Sequence, residues 1–148
     1  MEISPRSKKK YRARKLSERT IAALTEALAD EYKARATYRQ VIDEFGPIRP
    51  FINIVEAEDR HASALLRQFE RLGAMPPDGE WAGKVDPPAS IRAACEAAVA
   101  GEIENAEMYD RLLKVIDDPL VREVMLNLRE ASQNRHLPAF RRCLARHS

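Results

Sequence analysis

The chain is poor in residues that break helices. Its 148 residues include only five glycines, and four of its nine prolines crowd into positions 76–88. β-Branched residues are sparse and do not alternate with polar ones, so strands are not expected. No run of about 18 apolar residues occurs, which argues against a membrane-spanning helix. The basic N-terminus lacks the apolar segment of a secretory signal. The two cysteines, Cys95 and Cys143, lack CxxC spacing and are too few for a disulfide framework. They read as buried thiols, and the protein as cytoplasmic.

Strong helix formers, Ala, Leu, Glu and Arg, dominate what remains. Apolar residues make up 45%, enough to line one core, and charged residues 32%, enough to solvate it. The expected class is a single all-α domain. Charge is unevenly placed. Of 25 basic and 23 acidic residues, residues 1–15 hold seven bases and only Glu2, leaving 18 bases against 22 acids beyond them. A basic, flexible tail over 1–16 is therefore expected before a mildly acidic body over 17–148. The tail could engage nucleic acid, but Tyr11 is the only aromatic among its charges, and a plain solvated terminus is the simpler reading.

Four stretches carry apolar residues at spacings of three and four. The first runs from Ser17, a capping residue, to Phe45 before Gly46-Pro47. The second runs from near Pro50 to Leu72. The third covers about Ser90 to Ile116, and Asp117-Asp118-Pro119 caps a fourth that reaches Ala145. Two connections are short, so each joins an antiparallel hairpin. The connection at 73–88 is long and rich in Pro and Gly, suited to a crossover along the bundle. Trp81 within it is expected to pack against the helices. The predicted architecture is a four-helix bundle with one long crossover between helices two and three.

Acids and histidines interrupt the apolar stripes at matching depths. Glu31 lies on the inward face of helix one. Glu58 and His61 share a face of helix two as Glu-x-x-His. Glu102 lies inward on helix three and His136 on helix four, where Ser132 also falls in the inward line. An ionised carboxylate buried alone costs several kcal/mol, and a divalent cation would balance it. Carboxylate plus imidazole suits iron, manganese or zinc. The halves repeat: EYKARATY (31–38) matches EIENAEMY (102–109), and EDRH (58–61) matches QNRH (133–136). Glu31 thus corresponds to Glu102, Tyr38 to Tyr109 and His61 to His136. The tyrosines read as core packing, with hydrogen bonding to a ligand as the alternative.

These motifs match the ligand pattern of di-iron carboxylate bundles. Over about residues 17–146 the chain resembles the ferritin-like superfamily on its rubrerythrin side. EYKARATY, PFINIVEAEDRH and ASQNRHLPAF look most like an uncharacterised ferritin-like family. The resemblance implies one or two divalent ions, iron first with manganese or zinc as alternatives, held by Glu31, Glu58, His61, Glu102 and His136. It also implies a non-haem oxidoreductase handling ferrous iron, O2 or peroxide, and a homo-oligomer. One departure stands out. Gln133 occupies the place of the fourth carboxylate, which predicts a weaker second metal position; Glu130 and Glu104 are the other candidate acids. A metal-binding or metal-free bundle without turnover, with the basic arm carrying interaction, is the competing reading.

Overall fold

The computed structural model describes residues 2–79 and 84–147, leaving aside the side chain of Leu16. The expected packing of Trp81 falls outside these residues. Helix α1 spans Pro5–Phe45, α2 Phe51–Leu72, α3 Ile91–Leu112, α4 Pro119–Ala131 and α5 Leu137–Arg146. A π turn, Ser132–His136, joins α4 to α5. Backbone angles stay right-handed through both junctions, so these pieces form one continuous fourth rod. No strand occurs among the described residues.

The caps explain most boundaries. Ser90 accepts from the Ala93 N–H, and Asp118 accepts from Leu120 and Val121, each supplying an acceptor to otherwise free amides. Gly73 closes α2 at a positive φ of 67°, a conformation glycine adopts without strain. The start of α1 differs from expectation. Ser4, not Ser17, is the cap, accepting from Ser7, and Pro5 takes the first helical position. Proline is pre-organised there and loses no needed N–H. The basic residues 6–15 thus lie on an exposed helical extension of α1, continuous through the expected boundary at residue 16.

Contacts fix the topology. Along α1 and α3, Arg111 pairs with Glu26, Asn105 with Asp30, and Tyr38 with Glu102. Numbers rise on one helix as they fall on the other, so α1 and α3 are antiparallel. The α1–α2 hairpin and the packing of α3 on the fourth rod complete an antiparallel ring, leaving α2 and α3 parallel. The long connection is therefore required to return the chain along the bundle. Gly79 in it lies against the Tyr32 ring, where a Cβ would sit about 3.1 Å from the ring carbon.

Two apolar clusters fill the interior. One gathers Leu24, Leu28, Leu65, Phe69, Val121 and Met125 with their neighbours. The other gathers Tyr38, Val41, Phe51, Ala98, Phe140 and the two cysteines. On α2, α3 and the fourth rod the predicted polar residues fall between these clusters in sequence, and on α1 Glu31 lies beside Tyr32 at the edge of the first cluster, which places them at mid-bundle. On α3 the buried line runs through Ala98, Glu102, Asn105, Tyr109 and Leu112. The cysteines are not free thiols: Cys95 and Cys143 are bonded, with Cα atoms 5.9 Å apart. The fold brings α3 and α5 face to face at this level, a proximity that spacing in sequence could not reveal. Closing a loop over a separation of 48 residues stabilises the fold by about 4 kcal/mol on the chain-entropy model.

Candidate metal centre

Glu31, Glu58, His61, Glu102 and His136 converge between the two apolar clusters. They form two groups, Glu31–Glu58–His61 and Glu58–Glu102–His136, and in each the donor atoms lie within 4.8 Å of one another. Glu58 belongs to both. Its Oε2 lies 3.4 Å from His61 Nδ1, and its Oε1 lies 3.4 Å from His136 Nδ1. Each imidazole also faces a second carboxylate: His61 Nδ1 is 3.5 Å from Glu31 Oε2, and His136 Nδ1 is 3.4 Å from Glu102 Oε1. The two rings stack with centroids 5.3 Å apart. The repeat seen in the sequence is thus a pseudo-two-fold in space, with Glu58 at its centre.

The tyrosines cross between the halves. Tyr109 on α3 donates to Glu31 Oε1 at 2.6 Å, and Tyr38 on α1 donates to Glu102 Oε1 at 2.7 Å. Both are buried in the core and both hold a glutamate in place, so the packing and hydrogen-bonding readings describe the same residues. Ser132 donates to Glu102 Oε2 at 2.6 Å. This residue, not Gln133, stands where a fourth carboxylate was expected. The expectation for Gln133 fails because the π turn widens the helix. The residue four before His136 lies beneath it, and Gln133 turns out to solvent. Glu130 is also exposed, near Arg135. Glu104 is exposed and lines a cavity beside the cluster.

The electrostatics follow from burial. Glu31, Glu58 and Glu102 are each no more than 3% exposed. Burial, then repulsion from Glu58, pushes the Glu31 carboxyl up to about 8. Burial would raise Glu58 too, but contacts from Glu31, His136 and His61 outweigh it and hold Glu58 below the usual range. Burial opposes charge on the imidazoles, yet the carboxylates facing them prevail. Glu31 and Glu58 raise His61 to about 10, while Glu102 and Glu58 raise His136 to about 9. Burial and the adjacent carboxylates hold Tyr38 and Tyr109 well above 10, so both remain donors. Without a cation, protons held by Glu31, His61 and His136 would offset the charge buried here.

Two observations show how well a metal fits. Glu58 Oε2 and His136 Nδ1 are buried without a hydrogen-bond partner, which is costly unless something else satisfies them. The imidazole–carboxylate separations are too long for good hydrogen bonds. They match donors sharing one ion, because ligands about 2.1 Å from a metal at angles between 90° and 110° stand roughly 3.0–3.4 Å apart. The donor set, three carboxylates and two imidazoles, therefore fits a di-metal site. A cavity of about 310 Å³ reaches Glu58, Glu102 and Tyr38 from between α1 and α3, with Asp30 and Glu104 among its lining residues. A second of about 410 Å³ reaches His61 and His136 from the α2 side.

This is the ferritin-like four-helix bundle. The fold is shared with a hypothetical protein from Methanococcus jannaschii at a TM-score of 0.77 and 20% identity, over 99% of this chain and 84% of that one. It is shared equally plainly with a ferritin-like, diiron-carboxylate protein from Bacillus anthracis at a TM-score of 0.69 and 22% identity, over 87% of this chain and 97% of that one. No family model matches the sequence, and no curated protein matches it. Among the described residues, no helix is long and apolar enough to cross a membrane.

Proposed function

We propose that the chain binds one or two divalent ions through Glu31, Glu58, His61, Glu102 and His136, and that it acts as a non-haem oxidoreductase on ferrous iron with O2 or peroxide as oxidant. Iron is the first candidate, with manganese or zinc as alternatives. The observation that carries this reading is Glu58, fully buried, with one oxygen turned to each histidine and one of them left without a hydrogen-bond donor. A bound metal pair would supply one-electron redox chemistry and Lewis acidity. The chain's own residues do the rest. Glu58 would bridge the two positions. Tyr109 and Tyr38 fix the orientation of Glu31 and Glu102, as outer partners of metal ligands commonly do. The apolar clusters above and below limit water, and the cavity between α1 and α3 offers small reactants a route to Glu58 and Glu102.

Charge sets a limit. Three carboxylates leave two divalent ions with a net charge of about +1, so the second ion binds more weakly than the first. Glu102 is the poorer ligand, because both its oxygens already accept hydroxyl donors whereas Glu31 has one oxygen free of them. Ser132 in place of a fourth acid favours a second reading, a metal-binding bundle without turnover. Oxidant consumption separates the two. Metal-free chain loaded anaerobically with Fe2+ should consume O2 or peroxide faster than Fe2+ in buffer, and Glu58→Gln should remove the difference. Consumption no faster than that of free Fe2+ would leave only the binding reading.

A further inference from the structure

We propose that Cys95 and Cys143 are a redox-active pair that supplies two electrons to peroxide reduced at the metal cluster, and that the bonded pair in this structure is its oxidised form. The inference rests on the metal-binding reading above. It starts from position. Cys95 lies seven residues before Glu102 on α3, and Cys143 lies seven residues after His136 on the fourth rod. Seven residues are two helical turns, about 10 Å along the axis, so each sulfur shares a helix face with one member of the same half-site. Both cysteines are fully buried in one apolar cluster with Tyr38 and Phe140. The Tyr38 ring packs 5.1 Å from Phe140, which lies one turn from Cys143, and its hydroxyl donates to Glu102. An unbroken line of packed side chains thus joins the sulfurs to the cluster.

The chemistry answers a need of the site. Peroxide reduction consumes two electrons; where ferrous iron is not itself spent as substrate, each further turnover needs two more, and Cys95 and Cys143 are the chain's two cysteines. In the step, the two S–H bonds break and one S–S bond forms, releasing two electrons and two protons. The peroxide O–O bond breaks and takes up those electrons and protons, giving two waters. Burial makes the route distinctive. Both sulfurs are fully buried, so direct oxidation from solution should be slow and oxidation by way of the cluster faster.

Thiol counting tests this. The chain is reduced under denaturant, refolded without oxygen, and its metal content measured after loading with Fe2+. Metal-loaded and metal-free samples then receive repeated equivalents of peroxide, and thiols are alkylated after denaturation and counted by mass. The expected result is loss of both thiols and formation of the Cys95–Cys143 bond in the loaded chain, at least an order of magnitude faster than in the metal-free chain. Tyr38→Phe should slow this loss, and Cys95→Ser should keep its one remaining thiol while still binding metal. Equal rates with and without metal would overturn the inference as adventitious oxidation. Bound metal with intact thiols would overturn it as well, leaving a simple cross-link, without touching the metal-binding reading. Failure of the metal to bind would sink both.

Discussion

Replacing Tyr109 by Phe should destabilise the metal-free protein more than the equivalent change at Tyr38. Tyr109 is fully buried and donates at 2.6 Å to Glu31, itself 2% exposed. Phenylalanine fills nearly the same space, so the change removes a donor and little packing. A buried carboxyl that loses its partner costs about 1–3 kcal/mol, and Glu31 has no second hydroxyl to turn to. At about 2–4 °C per kcal/mol for a domain of this size, a loss near 2 kcal/mol lowers Tm by roughly 4–8 °C. Tyr38→Phe removes the same group from Glu102, but Ser132 still donates there at 2.6 Å. Its effect should be about half as large, and the second donor should make Tyr38→Phe and Ser132→Ala more than additive when combined. Thermal unfolding of the wild type and the four variants, each stripped of metal, decides the matter. Equal losses at Tyr109 and Tyr38, or additive losses at Tyr38 and Ser132, would refute the assigned hydrogen bonds.

Stability of the metal-free protein should fall as pH rises. Glu31 (about 8), His61 (about 10) and His136 (about 9) all hold protons more tightly folded than unfolded. Their contribution is complete below their ordinary values of 4.5 and 6.5 and disappears as pH climbs through the raised ones. Denaturant titration between pH 6.5 and 10 should show the decline, and saturating metal should suppress it. Gln133→Glu should leave metal stoichiometry unchanged because the side chain faces solvent, whereas Ser132→Asp should strengthen the weaker ion; elemental analysis after dialysis reads both. Removing residues 2–15 should shift Tm by little, since every one of them is exposed; a large loss in calorimetry would contradict that.

Much of this was legible in the sequence because helical periodicity reports faces directly. Glu31, Glu58, Glu102 and His136 fall within apolar stripes, which marks their positions as inward, and all four are buried. The reciprocal tyrosine contacts were half visible: the repeat paired Tyr38 with Tyr109, but which glutamate each would reach depends on α1 and α3 running antiparallel. Gln133 was misplaced because spacing arguments assume an unbroken α-helix, and nothing local to SQNRH announces a π turn. The start of α1 was missed for a different reason. Its first turns carry no apolar stripe, so only the short Ser4-Pro5 signal marked the helix. The cysteine bond was invisible because Cys95 and Cys143 lie on different helices and meet only through tertiary packing.

Anaerobic Fe2+ titration of the metal-free chain, alongside His61→Ala and His136→Ala, tests the central claim most directly. The account predicts one tighter and one weaker ion in the wild type. His61→Ala should lose the tighter ion, and His136→Ala should lose the weaker ion while keeping the tighter one. A wild-type chain that takes up no metal, or two variants that bind as the wild type does, would contradict it.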